Sequence, residues 1–249
     1  MIVYGLNPVL EALRAGRVRE LRVGERSDGR FRQLMDLAGE QGVRIRRVPS
    51  VTLDRDSRGG VHQGVIAIVD DVPGHDIEQL VRGASGPPLL VVLDGVEDPH
   101  NLGAILRTAD AAGADGVVVQ RRRSAALGGA AAKASAGAVA HVRIAEVVNI
   151  SRALEQLKDS GVWTVGLAAD AKMTYDSIDF TGSTAIVLGG EGAGLRRLVR
   201  ERCDYLVSIP MFGHVDSLNV SVAAGVTLYE AVRQRRSRQS SPVDAAGRL

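Results

Sequence analysis

Asp98, His100 and Asn101 fall within four consecutive positions of EDPHNLGAILRTADAAGADGVVV, residues 97–119, between an apolar strand pattern and an apolar helix pattern. Asp98 is a natural helix cap with Pro99 at the first helical position, and Gly113 closes the helix. Leu102, Ile105, Leu106 and Ala109 recur at i, i+3, i+4 and i+7, a stripe that faces a sheet. At about 100° per residue, Arg107 points roughly opposite that stripe. Asn101 lies in the first turn, beside its free N–H groups. A capped surface helix with one exposed arginine accounts for these residues as well as a site does, and spacing alone leaves both open.

Two further loops have chemical side chains. VLGGEGAGL, residues 187–195, is a glycine-rich turn after a strand, where a ligand can approach the backbone closely. Its G-E-G-A-G spacing is not the dinucleotide G-x-G-x-x-G, the next strand ends in SIPM without an acid, and Glu191 would repel a pyrophosphate. A nicotinamide cofactor is therefore disfavoured. IPMFGHVDSLNVSVAAGVTLYEAV, residues 209–232, offers Ser217 as a helix cap. Ser221 and Gly225 then repeat small residues every four positions, which suits a tight helix contact or a dimer seam. Packing does not account for Asn219, one turn in from the expected cap.

The elements that must position these loops can be read from periodicity. From residue 89 the pattern alternates strand and helix: LLVVL, the helix above, GVVVQ, a helix around 129–136, HVRI, a helix over 151–159, VWTVGLA, TAIVLGG, a helix through LRRLVRERC, YLVSIP and a helix from about 217 to 235. Such alternation implies an α/β fold with a mostly parallel sheet, whose ligands bind beyond the strands' carboxyl ends. Residues 1–70 read as a smaller α/β unit. There Asn7 caps a helix over Pro8 to Gly16, ELRV is a strand, and a helix over Asp28–Gln41 carries Phe31, Leu34, Met35 and Ala38. VRIRRV alternates like a half-exposed strand, and GVIAIV is a buried one. The stretch 71–88 lacks strong periodicity and reads as a linker, and the tail 237–249 as disordered.

Composition bounds the rest. The 249 residues are 45% hydrophobic, 24% charged and 3% aromatic, ordinary for a soluble protein with an aliphatic core. No apolar run reaches the ~18 residues of a membrane helix, and the N-terminus lacks a signal-peptide pattern. The single cysteine, Cys203, excludes a disulfide frame, fits a reducing cytoplasm, and reads as a buried small hydrophobe. Net charge is only +2, yet arginine outnumbers lysine 28 to 3. Three clusters stand out: Arg121–Arg123, Arg196–Arg202 and Arg233–Arg238. Guanidinium forks match phosphates, so the clusters suit a nucleic-acid backbone; solvated helix faces are the alternative.

Taken together, DPHNLGAILRTADAAGADGVVV, VLGGEGAGL and IPMFGHVDSLNVSVAAGVTLYEA resemble, in order and spacing, the three motifs of the SpoU family of RNA ribose 2'-O-methyltransferases, within the SPOUT superfamily. The segment RRSAALGGAAAKASAGA, with Lys133, is similar to the family's intermotif stretch. The opening VYGLNPVLEAL and the later GGVHQGVIA look like the N-terminal RNA-binding domain of the bacterial branch that methylates a guanosine in large-subunit (23S) rRNA.

The resemblance implies a SPOUT α/β methyltransferase domain over 89–236, with a mostly parallel sheet and a trefoil knot. It also implies a small L30e-like α/β RNA-binding domain over 1–70, S-adenosylmethionine as cofactor, a homodimer, an RNA partner and no membrane. Asn101 and Arg107 match the first motif's polar pair, Glu191 the second motif's acid, and Ser217 and Asn219 the third motif's pair. Gly189, Ile209 and Leu218 match positions whose main chain contacts the cofactor. No metal ligands are assigned. The alternatives are a tRNA-directed or antibiotic-resistance methyltransferase and a non-catalytic RNA-binding module. Base-carbon methylation through Cys203 is disfavoured, because that residue lies away from all three loops.

Overall fold

The computed structural model describes residues 2–25, 29–70, 74–121, 131, 134–135 and 137–239. In the first part of the chain, β1 (Ile2–Tyr4), α1 (Leu6–Arg14), β2 (Val18–Val23), α2 (Gly29–Glu40), β3 (Arg44–Arg47), α3 (Ser50–Asp56) and β4 (Val65–Val69) follow in order. Next come α4 (Ile77–Arg82), β5 (Leu89–Asp94), α5 (Pro99–Ala111), β6 (Gly116–Gln120), β7 (Ile144–Val147) and α6 (Ile150–Asp159). The chain continues through β8 (Trp163–Leu167), β9 (Met173–Thr174), β10 (Thr184–Gly189), α7 (Arg197–Arg202), β11 (Tyr205–Ser208) and α8 (Val220–Gln239). Among the described residues no helix is long and apolar enough to cross a membrane.

The chain divides into two compact units, one of residues 1–74, 97–110 and 125–142, the other of 75–96, 111–124 and 143–249. The first holds a four-stranded sheet in the order β1-β4-β2-β3, in which β4 runs antiparallel to both neighbours and β3 parallel to β2. Val9, Leu13, Leu21, Leu34, Ala38 and Val65 form its core. Helix α1 begins at Leu6, so Asn7 is not its cap; Gly5, at φ 94°, takes that place, and Gln63 Oε1 accepts the Leu6 N–H at 3.0 Å. Glycine reaches that conformation without strain, which lets the helix start earlier than the Asn-Pro signal suggests. Edge strand β3 is exposed along its whole length rather than on one face. In the same unit α5 packs on Ala131, Ala134 and Ser135: a Cβ on Gly103 would run into Ala134 and the Ala131 carbonyl. Residues 122–130, 132–133 and 136 lie outside the described residues. These include Arg122, Arg123, Lys133 and most of the helix expected over 129–136.

The second unit carries a seven-stranded sheet in the order β7-β6-β5-β10-β8-β11-β9, every neighbouring pair parallel. Its strands are apolar on both faces, as a helix-covered parallel sheet demands: all six residues of β5 are buried. Leu90, Val92, Val118, Ala185 and Val187 pack against Ile150, Leu154 and Leu157 of α6. The stretch read as a featureless linker contains α4. Asp76 and Gln79 close a reciprocal capping box (2.7 and 3.0 Å), and Ile77 and Leu80 join that core. Strand β7 starts three residues later than HVRI suggests, because Ala138–Ala140 form a 3-10 turn. Helix α8 runs from 220 to 239, so residues 237–239 of the expected tail are helical. Residues 240–249 lie outside the described residues.

Candidate active site

Three parallel strands, β8, β10 and β11, end at a cleft of about 250 Å³. Leu167, Leu188, Val207, Ile209 and Leu218 form apolar walls, and Glu191, Ser208, Asp216 and Ser217 add polar groups. The backbone of Gly189 and Gly190 forms part of the lining. Neither could be another residue: a Cβ on Gly189 would meet the main chain of Gly194 and Leu195, and one on Gly190 the carbonyl of Gly95. Gly192 and Gly194 turn the loop at positive φ, and Gly194 donates to the Gly190 carbonyl at 3.0 Å. The glycine spacing that fails as a dinucleotide fingerprint thus builds a tight ring after β10.

One carboxylate fixes that ring. Asp94, the last residue of β5, is buried, and its Oδ2 accepts the Arg196 N–H at 2.8 Å while Oδ1 accepts Arg196 Nε at 2.6 Å. Its own carbonyl accepts the Gly190 N–H at 2.9 Å, so Asp94 holds both ends of the turn. The Arg196 guanidinium continues to Gln120 Oε1 at 2.9 Å. Sequence reasoning missed Asp94 and Gln120. The available signal was a lone acid closing a wholly apolar strand, since a buried charge must be paired.

Helix α8 begins differently from the sequence expectation. Ser217 is exposed and does not cap it; Asn219 does, with Oδ1 accepting the Ser221 N–H at 2.9 Å and the Ser221 hydroxyl at 2.6 Å. Helix-terminus geometry therefore explains Asn219, which packing alone could not. Its amide also reaches Glu191 Oε1 at 3.3 Å, tying the third loop to the glycine ring. Five of the eight expected site residues, Gly189, Glu191, Ile209, Ser217 and Leu218, line the cleft, and Asn219 touches it through Glu191.

Asn101 and Arg107 are positioned by α5, whose start follows the sequence signal: Asp98 Oδ1 accepts the His100 N–H at 3.0 Å. Asn101 is buried in the first turn. Arg107 is exposed and has no ion-pair partner among the described residues.

The C-terminal arginine clusters lose most of their case as phosphate trackers. Arg196 serves Asp94, Arg197 pairs with Glu201, Arg200 with Asp170 and Arg202 with Glu155. Arg233 pairs with Glu230, and Arg235 donates to the carbonyls of Pro87, Pro88, Phe180 and Gly182. Arg121 faces Glu146 at 3.7 Å. Cys203 is half-buried rather than buried; its Sγ lies 3.3 Å from the Val199 carbonyl, and burial pushes the thiol up to about 12. A thiol so seldom ionised is a poor nucleophile. Among the described residues no cluster of His, Cys, Asp or Glu could hold a metal ion.

An all-parallel sheet with its cleft beyond the strand ends is the arrangement in which α/β proteins bind their ligands. The chain belongs to the SpoU rRNA methylase family, whose model matches residues 88–229, and residues 2–74 match the RNA 2'-O ribose methyltransferase substrate-binding model. It is 47% identical to the 23S rRNA (guanosine-2'-O-)-methyltransferase RlmB of Pseudomonas syringae pv. tomato, covering 95% of this chain and 97% of that one. The crystal structure of the SpoU methyltransferase AviRb from Streptomyces viridochromogenes with AdoMet superposes with a TM-score of 0.81, at 29% identity over 95% of this chain and 91% of that one. A structure described for 2-OH methylation of C/U34 on tRNA matches at a TM-score of 0.56 and 30% identity. It covers 61% of this chain and 99% of that one.

Proposed function

We propose that this chain transfers the methyl group of S-adenosylmethionine to the 2'-hydroxyl of a guanosine in large-subunit (23S) rRNA. The observation that carries the reading is the cleft at the ends of β8, β10 and β11, where the second and third motif loops bring side chains and backbone within reach of one ligand. The near-full-length likeness to a guanosine methyltransferase supports the rRNA target. That relative covers 95% of this chain, against 61% for the tRNA-directed structure.

The residues present suit that cofactor. Apolar walls from Leu167, Leu188 and Ile209 fit an adenine, main-chain groups at Gly189, Ile209 and Leu218 can bond its edge, and Glu191 places a negative charge near a cationic ligand. S-adenosylmethionine supplies an electrophilic methyl group. The protein's part is to hold the ribose hydroxyl in line, and such positioning removes much of a bimolecular barrier. Arg107 clamps an RNA phosphate with its guanidinium fork, while Asn101, Ser217 and Asn219 give neutral hydrogen bonds. Since a guanidinium stays protonated, Arg107 orients and stabilises charge, and the proton leaves to phosphate or water.

Two further parts belong to the proposal. Residues up to about 74 select the RNA while the remainder catalyses, and the protein works in the cytoplasm. It does so as a homodimer packed through α8, where Val222 and Tyr229 are half exposed on the face that carries Gly225. Incubating the protein with unmodified rRNA and labelled cofactor, followed by nuclease digestion, should yield 2'-O-methylguanosine. Label found only on a base would overturn the reading.

A further inference from the structure

The N-terminal arginines divide sharply once their partners are known. Arg14 is held by Glu11 (2.6 Å), Arg17 donates to the carbonyls of Val139 and Asp70 (3.3 and 3.4 Å), and Arg22 bridges Glu20 and Asp56 (2.8 and 2.6 Å). Arg44 and Arg46 on β3 are exposed, and among the described residues their side chains make no hydrogen bond or ion pair, although both lie close enough to Glu20 to help Arg22 hold its carboxyl below the usual range. The register sets Arg44 beside Glu20 and Arg46 beside Arg22, so all four side chains rise from one face, with the two arginines roughly 6.6 Å apart. Asp56 also receives Arg55 at 3.4 Å. Two carboxylates are thus shared among Arg22, Arg44, Arg46 and Arg55, leaving that face with excess positive charge. In the row of Arg44 and Glu20 the antiparallel neighbour Ile68 is half-buried and Ile2 is 37% exposed, while Ile66 beside Arg22 is buried.

We propose that this face of the four-stranded sheet is where RNA docks, its phosphates meeting Arg44 and Arg46 along the β3 edge. The inference rests on the methyltransferase reading and names the surface that reads the substrate. Charged edges also guard sheets against pairing with other chains. That role would account for Arg44, Arg46 and Arg47 alike; the first two differ in standing beside Arg22 on one face. Charge complementarity favours a polyanion, and Arg47 supplies the control. It pairs in register with buried Val23 and so leaves the opposite face of the same strand.

The test uses the full chain, S-adenosylmethionine and an unmodified large-subunit rRNA transcript, with initial rates and filter binding measured over a range of salt. Arg44→Glu/Arg46→Glu should raise both KM and Kd for RNA by about tenfold or more, and Arg44→Gln/Arg46→Gln by less, because two phosphate contacts are lost. The slope of log Kd against log salt should shrink by about 1.4 for two single-strand phosphates. Saturated turnover and calorimetric cofactor affinity should hold. Unchanged RNA affinity in the double glutamate variant would overturn the proposal, as would an equal loss in Arg47→Glu or a loss confined to turnover. A wild-type protein that binds the transcript without methylating it would count against the function, while the binding comparison would still decide the face.

Discussion

Arg107 stands on the solvent side of α5 and, among the described residues, has no carboxylate paired with it. An unpaired guanidinium there adds little to stability, and its value lies in what it can bind. Arg107→Ala should therefore leave cofactor affinity nearly unchanged and lower single-turnover rate by on the order of 10²–10³, the usual cost of losing one charge-stabilising contact. Calorimetry beside rapid-quench kinetics checks both halves; a large loss of cofactor binding would assign Arg107 to the cofactor instead. Asp94 works at the same scale by a different route. It is not part of the cleft lining, yet both ends of the glycine turn hang on it.

At the scale of elements, the start of α8 joins fold to site. Asn219 both caps the helix and bonds Glu191. Replacing it with alanine should cost about 1 kcal/mol of stability, the typical value of a lost cap. It should also slow methyl transfer, whereas Asn219→Ser should recover the cap without the reach to Glu191. A serine variant with full activity would separate Glu191 from the role given to this contact. Long strands and strongly periodic helices were readable because burial on a parallel sheet demands unbroken apolar runs, as in LLVVL and TAIVLG. The short α3 and α4 were not, since six or seven residues carry too little periodicity. Asp76-x-x-Gln79 was nonetheless a legible capping signal. Glu191 and Asn219 could be picked out by type and place, but their mutual contact, and Asp94 beneath the ring, depend on strands distant in sequence.

For the whole molecule, the stretch expected as a linker contributes a helix to the seven-stranded unit. Ile77 and Leu80 are buried with the core of the seven-stranded sheet. A chain beginning at His75 keeps them and should bind cofactor, because every residue lining the cleft follows residue 166. One beginning at Gly86 discards both and should melt at least about 10 °C lower, at about 2–5 kcal/mol for each lost apolar side chain. Equal melting temperatures in a thermal scan would show α4 to be dispensable. Both chains should methylate rRNA poorly, having lost the β3 arginines.

The all-parallel sheet also sets the order in which a newly made chain can mature. Strand β5 begins at residue 89 and its central neighbour β10 only at 184. A ribosome adding about 5–20 residues per second leaves β5 waiting roughly 5–20 s for that partner. Over that interval a wholly apolar strand presents one open edge, the kind of surface other chains add to. Asp94 likewise waits for Arg196 before its charge is matched. The cleft closes only after β11 and the start of α8 have been made, so a nascent chain cannot take up cofactor before that point.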